Sequence, residues 1–234
     1  MSIALAHKRR VLALGPAAVA TVEPYSSSTS LASPANAQKH LKLMEGALAI
    51  DLERLSEMNN LASRQQLKRD ELLPKYMDYV ERYRDSGLNH PNLVLMQVMV
   101  WLFDTEQFEL GLEVAMFAIE QGQPMPERFK RDIPTFVGDA VIEWAENEQK
   151  CGRNPEPYLS DMLPFVDGEW DLTEQIPAKY HKLIGIRALD AKEWAKAITH
   201  FERATELHPG AGVGTRLEGA RKALAKELAT NAAE

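Results

Sequence analysis

The chain has 234 residues, of which 45% are hydrophobic and 26% charged, so it is long enough to bury one substantial core or two modest ones. This composition excludes a chain that is disordered throughout, and no apolar run approaches the roughly 20 residues that a membrane-spanning helix requires. Cys151 is the single cysteine. It excludes an intramolecular disulfide and a zinc site built from cysteines, and it favours a reducing cytoplasm.

The charge is distributed unevenly along the chain. The net charge is −7, yet residues 1–69 carry nine Lys or Arg against five Asp or Glu, a net charge of +4 that leaves −11 for the remainder. Such an asymmetry can place one end of a protein on a polyanion. We predict phosphate contacts from eight of these cations, with a solvated helix face as the alternative for each. They are Lys8, Arg9, Arg10, Lys39, Lys42, Arg64, Lys68 and Arg69.

Residues 1–35 are predicted to form a flexible arm. A basic cluster, small apolar residues and a Ser/Thr/Pro segment give this stretch too little large apolar surface to offset the entropy of ordering. Residues 11–20 follow the basic cluster as the apolar part of a signal peptide would, but Gly15 and Pro16 interrupt the run. We therefore interpret the segment as a tail rather than an export signal.

Residues 36–70 are predicted to form one long helix. They contain no proline and only Gly46, and their large apolar residues recur on a single narrow face, as in a coiled coil. Two interpretations of this face fit the pattern equally well. Either the helix docks on its own domain, or the face is a seam for self-association. The candidate residues for that seam are Leu41, Leu48, Leu52 and Leu55.

The remainder of the chain predicts further helices. Residues 71–150 are interpreted as a central helical domain, in which a strongly apolar helix over 93–103 is buried nearly all round. The Gly- and Pro-containing stretch 151–177 predicts a hinge, and residues 178–234 predict a helical hairpin followed by a C-terminal helix. No segment alternates with period two. The predicted architecture is therefore all-α, with a long N-terminal coiled-coil-like helix followed by helical hairpins.

The C-terminal hairpin has the residue spacing of a tetratricopeptide repeat. In that repeat, small residues let two antiparallel helices approach while an aromatic ring fills the gap beside them. The residues at these positions are Gly185, Ala197, Phe201, Ala204 and Pro209. One such unit predicts an interaction fold, because several must stack to form an array.

Residue patterns typical of catalysis are absent from the sequence. It has no Gly-rich phosphate loop, no nucleophile elbow and no His-x-x-x-His on a helical face. Asp139 and Glu143 lie one helical turn apart with Asp132 nearby, which makes them weak candidates for a Mg²⁺-dependent nuclease site. We predict no catalytic set and no cofactor, with Mg²⁺ required only if these carboxylates cut DNA. His181 and His200 are predicted to be structural histidines.

Several short strings along the chain match, in order, those of a known phage family. The most specific is Trp-Leu-x-Asp-Thr at 101–105. The full set is Glu71-Leu72-Leu73-Pro74, Met96-x-x-Met99-Val100-Trp101-Leu102-x-Asp104-Thr105, Ala115 to Ala118, Gly122, Met125-Pro126, His181-Lys182, Gly185, Arg203-Ala204-Thr205, Leu207 and Ala211-Gly212-Val213. Over roughly residues 39–225 the chain resembles the small terminase subunit of temperate tailed phages, the type often called the terminase endonuclease subunit.

This resemblance implies a DNA-recognition component of a packaging motor in the host cytoplasm. Such a subunit is expected to bind double-stranded viral DNA near the packaging start, to assemble with further copies of itself as a ring, and to pass DNA to a large ATPase-nuclease subunit. No membrane partner is implied. The alternative from another class is a helical-repeat scaffold that binds a protein partner in a groove and never contacts DNA.

Overall fold

A computed structural model describes residue 31 and residues 34–231 of the chain. Every regular element in this part of the chain is helical, which confirms the predicted all-α class. No helix among these residues is both long and apolar enough to cross a bilayer. The predicted arm over 1–35 lies almost entirely outside the described residues. The domain boundaries drawn from the sequence remain predictions.

Helix α1 spans Pro34–Glu57, so the single helix predicted over 36–70 is divided in the structure. Helix α2 begins again at Leu61 and spans Leu61–Leu67, with the Asn60 side chain accepting a hydrogen bond from the Ser63 N–H at 2.9 Å. Asparagine favours this capping position because its short side chain supplies an acceptor for one of the first N–H groups, which have no partner within the helix. The break therefore follows from Asn60.

The chain continues from α2 through a π-helical turn, Lys68–Leu72, directly into α3, Leu73–Asp85. The Leu73 N–H bonds the carbonyl of Lys68, five residues earlier. Pro74 lies in the first turn of α3. Because proline has no N–H to donate and its ring presses on the carbonyl four residues before it, the wider turn accommodates Pro74 without ending the helix.

Helix α4, Leu93–Asp104, is the centre of the main hydrophobic core. All its residues from Val94 to Phe103 are buried, which confirms the prediction of a helix buried nearly all round. Helices α5, Phe108–Glu120, and α6, Ile133–Lys150, follow it in the chain. Helix α4 packs against α1, α3 and α5, and α5 in turn packs against α6.

A buried polar network fixes the start of α4. The Asn92 side chain accepts from the Leu95 N–H at 3.1 Å and donates to the Tyr79 hydroxyl at 2.9 Å. The Asn92 backbone N–H donates to the side-chain oxygen of Gln123 at 2.9 Å, and the Gln123 amide donates to the carbonyl of His90 at 2.9 Å. These bonds satisfy polar groups that burial would otherwise leave unpaired, so the loop before α4 has one defined conformation.

The C-terminal part consists of a short helix α7, Tyr158–Asp161, a π-helical turn, Phe165–Glu169, and the helices α8, Gln175–Asp190, α9, Trp194–Leu207, and α10, Gly214–Asn231. Helices α8 and α9 form the predicted hairpin, and Gly185 lies directly against the Phe201 ring. A second, smaller hydrophobic cluster forms here. The close contact agrees with the small-residue spacing, while the assignment to tetratricopeptide repeats remains a prediction.

Candidate nucleic-acid interface

Three cations from separate segments surround an open pocket of about 290 Å³. Arg64 comes from α2, Lys68 from the π-helical turn, and Arg128 from the loop between α5 and α6. Trp101 and Asp104, at the end of α4, also line the pocket. We call this arrangement the basic pocket. It holds three cations and one carboxylate in a chain whose net charge is −7.

Arg64 links α2 to the end of α1. Its Nε donates to the carbonyl of Met58 at 2.6 Å, and one terminal nitrogen donates to the carbonyl of Ser56 at 3.4 Å. Both acceptors are backbone carbonyls at or beyond the C-terminal end of α1, where the helix leaves carbonyl groups unpaired. Since no carboxylate among the described residues pairs with the guanidinium, Arg64 brings its positive charge to the pocket.

Lys68 and Arg69 attach the π-helical turn to the end of α4. The Lys68 Nζ lies 2.7 Å from Oδ2 of Asp104, and the lysine side chain is 13% exposed. Arg69 donates to the carbonyl of Thr105 at 3.3 Å. Cations are stabilised at the C-terminal end of a helix by its partial negative charge. The turn that Pro74 requires therefore also positions two cations of the interface.

Arg128 is a pocket residue that the sequence alone does not identify. One of its terminal nitrogens donates to Oε1 of Gln97 at 2.7 Å, and its guanidinium lies 4.8 Å from the centre of the Phe129 ring. Gln97 is 1% exposed and interrupts an otherwise apolar run in α4. A polar residue at such a position signals a buried partner, but nothing in the sequence identifies Arg128 as that partner.

The other predicted DNA contacts lie elsewhere. Lys39 and Lys42 are exposed near the start of α1 and form no ion pair with another residue that the structure describes. Lys42 lies about 21 Å from Ser56 along the helix axis, at 1.5 Å per residue. Lys8, Arg9 and Arg10 fall outside the described residues. The structure thus brings Arg64 and Lys68 together in the basic pocket and adds Arg128. Arg69 contacts Thr105 outside the pocket lining, and Lys39 and Lys42 lie apart.

The predicted oligomerisation stripe lies inside the chain's own core. Leu41, Leu48 and Leu55 are buried and Leu52 is half-buried in the main core. Two polar contacts also attach α1 to α3. Asp51, itself buried, accepts hydrogen bonds from the Tyr76 hydroxyl at 2.5 Å and from Lys75 Nζ at 2.6 Å. A self-association seam made by the same leucines would have to displace these contacts.

The weak nuclease candidates are not grouped as a metal site. Asp139 forms an ion pair with Arg131, and Glu143 is exposed. The Asp132 side chain accepts from the Thr135 N–H at 3.0 Å and so caps α6. Among the residues described, no three His, Cys, Asp or Glu side chains are grouped closely enough to hold a metal ion.

A second polar cluster joins the hairpin to the π-helical turn before it. His181 Nδ1 lies 2.9 Å from His200 Nδ1, and His181 Nε2 lies 2.9 Å from Oδ2 of Asp167. Arg203 donates two hydrogen bonds to Asp167, at 2.9 and 2.7 Å. With both histidines neutral, His200 donates to His181 and His181 donates to Asp167. Each of these two hydrogen bonds then has one donor and one acceptor.

The protonation behaviour of this cluster follows from its burial. Burial, followed by the charges of His181 and Lys196, lowers the pKa of His200 to about 4. Burial also lowers the pKa of His181, against the opposite effect of its hydrogen bond to Asp167. The hydrogen bonds from Arg203 are the main cause that lowers the pKa of Asp167. The cluster therefore favours neutral histidines beside an ionised carboxylate, and we refer to it as the histidine pair.

The fold and the site together define the class of protein: it is all-helical and carries a concentrated basic pocket. The family model of the phage small terminase subunit matches residues 46–175, which is more than half of the chain and includes every residue of the basic pocket. The chain belongs to the phage small terminase subunit family. The resemblance noted in the sequence is confirmed.

Two curated relatives of the chain are named as terminase endonuclease subunits. The chain is 32% identical over 189 residues to the probable terminase, endonuclease subunit, of Haemophilus phage HP1 (strain HP1c1), covering 75% of this chain and 67% of that protein. It is 30% identical over 151 residues to the terminase, endonuclease subunit, of Escherichia phage P2, covering 64% of this chain and 61% of that protein. The chain thus spans about two thirds or less of the length of these relatives. No solved structure matches it.

Proposed function

We propose that the chain is the DNA-binding small subunit of a phage terminase. In this role it binds double-stranded viral DNA and directs packaging into the procapsid together with a large ATPase-nuclease subunit. Membership of the small terminase family supports the packaging role. The basic pocket is the observation that supports the DNA contact, since it concentrates cations on the surface of an acidic chain.

The chemistry of the pocket fits the phosphate backbone better than exposed bases. Arg64 and Arg128 carry guanidinium groups whose bonds, among the described residues, go to uncharged carbonyl or amide oxygens, so both charges are available to an anion. Trp101 is 1% exposed and packs in the core, which leaves no ring face on which a base can stack. We therefore propose that the pocket takes a DNA phosphate and sets the position of the protein on the duplex.

Salt-dependent binding to duplex DNA from the packaging site tests this proposal. Fluorescence anisotropy of the whole protein would be compared with that of Arg128→Gln and Lys68→Gln, and Lys222→Gln on α10 would serve as the control with the same change in charge. We expect each pocket variant to bind about tenfold more weakly, and the slope of log affinity against log salt to fall by about one. Equal affinities and slopes for all four proteins would refute a phosphate contact in the pocket.

A groove along α6, α8 and α10 supports contact with a protein partner. Leu183 and Ile186 give it an apolar floor, and Lys182 and Arg216 line it together with Glu146. We propose that this groove takes part in contact with the large subunit. The same groove is what a scaffold without DNA binding would use, so an Ile186→Asp variant that loses the partner, in a protein with no affinity for DNA, would favour that alternative.

We place DNA cleavage in the large subunit rather than in this chain. The relatives are named endonuclease subunits, but Asp139 is paired with Arg131 and is not grouped with other metal ligands among the described residues. Incubation of the purified chain with duplex DNA and Mg²⁺ or Mn²⁺ is expected to give no cutting. Cutting that Asp139→Asn abolishes would overturn this assignment.

A further inference from the structure

The face of α1 that points away from the core carries two exposed aliphatic side chains. Leu43 is 60% exposed and Ile50 is 68% exposed, so two large aliphatic side chains of one helix are open to solvent. They are seven residues apart and therefore lie on the same side of the helix. Gly46 lies between them, and a Cβ added there would meet no atom within 4 Å. We call this surface the outer face of α1.

The outer face has opposite charges at its two ends. Lys39 and Lys42 lie at the N-terminal end, and Glu53 and Glu57 lie at the C-terminal end. At about 100° per residue, all four fall with Leu43, Gly46 and Ile50 within about 100° of arc. The four charged residues are exposed, and none forms an ion pair with another residue in the described part of the chain. Along the helix, the face therefore runs from positive through apolar to negative.

Such a face is complementary to itself when reversed. We propose that a second copy of this chain packs against it in antiparallel orientation, about a two-fold axis that crosses the helix near position 47, next to Gly46. Lys39 and Lys42 of each copy then lie opposite Glu57 and Glu53 of the other. Leu43 packs against Ile50 of the other copy, and Gly46 permits close approach at the crossing. A parallel pair would instead place like charges opposite each other, which destabilises it.

This inference rests on the proposed small-subunit function, for which the family resemblance implies self-association, and it assigns Lys39 and Lys42 to pairing rather than to DNA. It also explains how a helix whose inner leucines are used by its own core can still join copies of the chain. The contact is a pairing surface, so any larger assembly built on it needs a further surface elsewhere.

The first test is the solution mass of the full-length protein, measured by light scattering and sedimentation equilibrium without DNA. We expect a discrete species containing paired copies. Ile50→Glu places a carboxylate opposite the partner's Leu43 and is expected to raise the dissociation constant roughly a hundredfold, as for a central contact of an interface. Leu61→Glu makes the same kind of change at a leucine that is 69% exposed on α2, and it is expected to leave the mass unchanged.

The second test reverses the charges. Lys42→Glu and Glu53→Lys should each weaken association about tenfold, because each places two like-charged pairs across the two-fold axis. The double variant Lys42→Glu/Glu53→Lys restores opposite charges and should recover the wild-type dissociation constant. Circular dichroism of each variant checks that the fold is kept, which we expect because the altered side chains are exposed.

Three outcomes would overturn the proposal. They are a monomer at every concentration, an oligomer whose mass Ile50→Glu does not change, and a double charge variant that associates no better than the single ones. None of them depends on DNA, and the Arg128→Gln binding experiment is carried out separately. Failure of the pairing surface is therefore distinguishable from failure of the DNA-binding function.

Discussion

Replacing Gly185 with alanine would place a methyl carbon 2.7 Å from both Cδ1 and Cε1 of Phe201. That is more than 0.5 Å inside ordinary contact between carbon atoms, and Phe201 is fully buried, so the ring has little room to move. Overpacking of this kind costs about 1–3 kcal/mol. Alanine in a helix interior recovers about 1 kcal/mol relative to glycine. The expected net loss in free energy of unfolding is therefore about 0–2 kcal/mol.

Gly219 in α10 provides a matched control. It is exposed, and an added Cβ meets nothing within 4 Å, so Gly219→Ala should increase the free energy of unfolding by about 0.5–1 kcal/mol. Urea denaturation followed by circular dichroism measures both variants. Phe201→Leu in the Gly185→Ala background should be less damaging than in wild type, because the smaller side chain relieves the contact. A Gly185→Ala protein as stable as Gly219→Ala would refute the close approach of α8 and α9.

Two further predictions concern buried polar groups. Asn92→Ala should lower the free energy of unfolding by about 2–4 kcal/mol, because α4 loses its capping side chain and the Tyr79 hydroxyl loses a buried partner. Urea denaturation measures this loss, and a change below ~0.5 kcal/mol would contradict the prediction. The histidine pair should make the protein less stable as the pH falls from about 6.5 towards about 4, since the unfolded chain takes up protons there that His181 and His200 in the folded chain do not. Stability measured against pH should be flatter for His200→Gln, and an identical profile would show that the pair does not cause the slope.

The fold could be predicted from the sequence where a single local signal decides it. The apolar run over 93–103 has no polar face to expose, so only a buried helix satisfies it, and α4 confirms this. Gly185 and Phe201 occur at a spacing that brings them together across a hairpin, and they lie in contact. The break between α1 and α2 was missed because the apolar pattern continues past it. Asn60 caps the start of a new helix at Leu61, and this local signal outweighs the apolar pattern that continues across the break.

The candidate site was predictable only in part, because its residues meet through tertiary packing. Arg64 and Lys68 come from one basic stretch that the charge asymmetry identifies. Arg128 lies in a loop some sixty residues further on, and only the fold brings it to Gln97. The apolar stripe of α1 illustrates a different limit. A heptad pattern gives the face that is buried, but Leu41 and Leu48 pack equally well on the chain's own core or on a partner.

The π-helical turn before Pro74 lets one continuous helical segment contact both the basic pocket and the hydrophobic core. One extra residue in a turn advances everything after it by about 100° around the axis. Lys68 can therefore point to the basic pocket while Tyr76, Tyr79 and Tyr83 are buried in the core. Because proline opposes a return to regular α-helical spacing at this point, the angular offset between the charged and aromatic surfaces is encoded in the covalent structure of the chain.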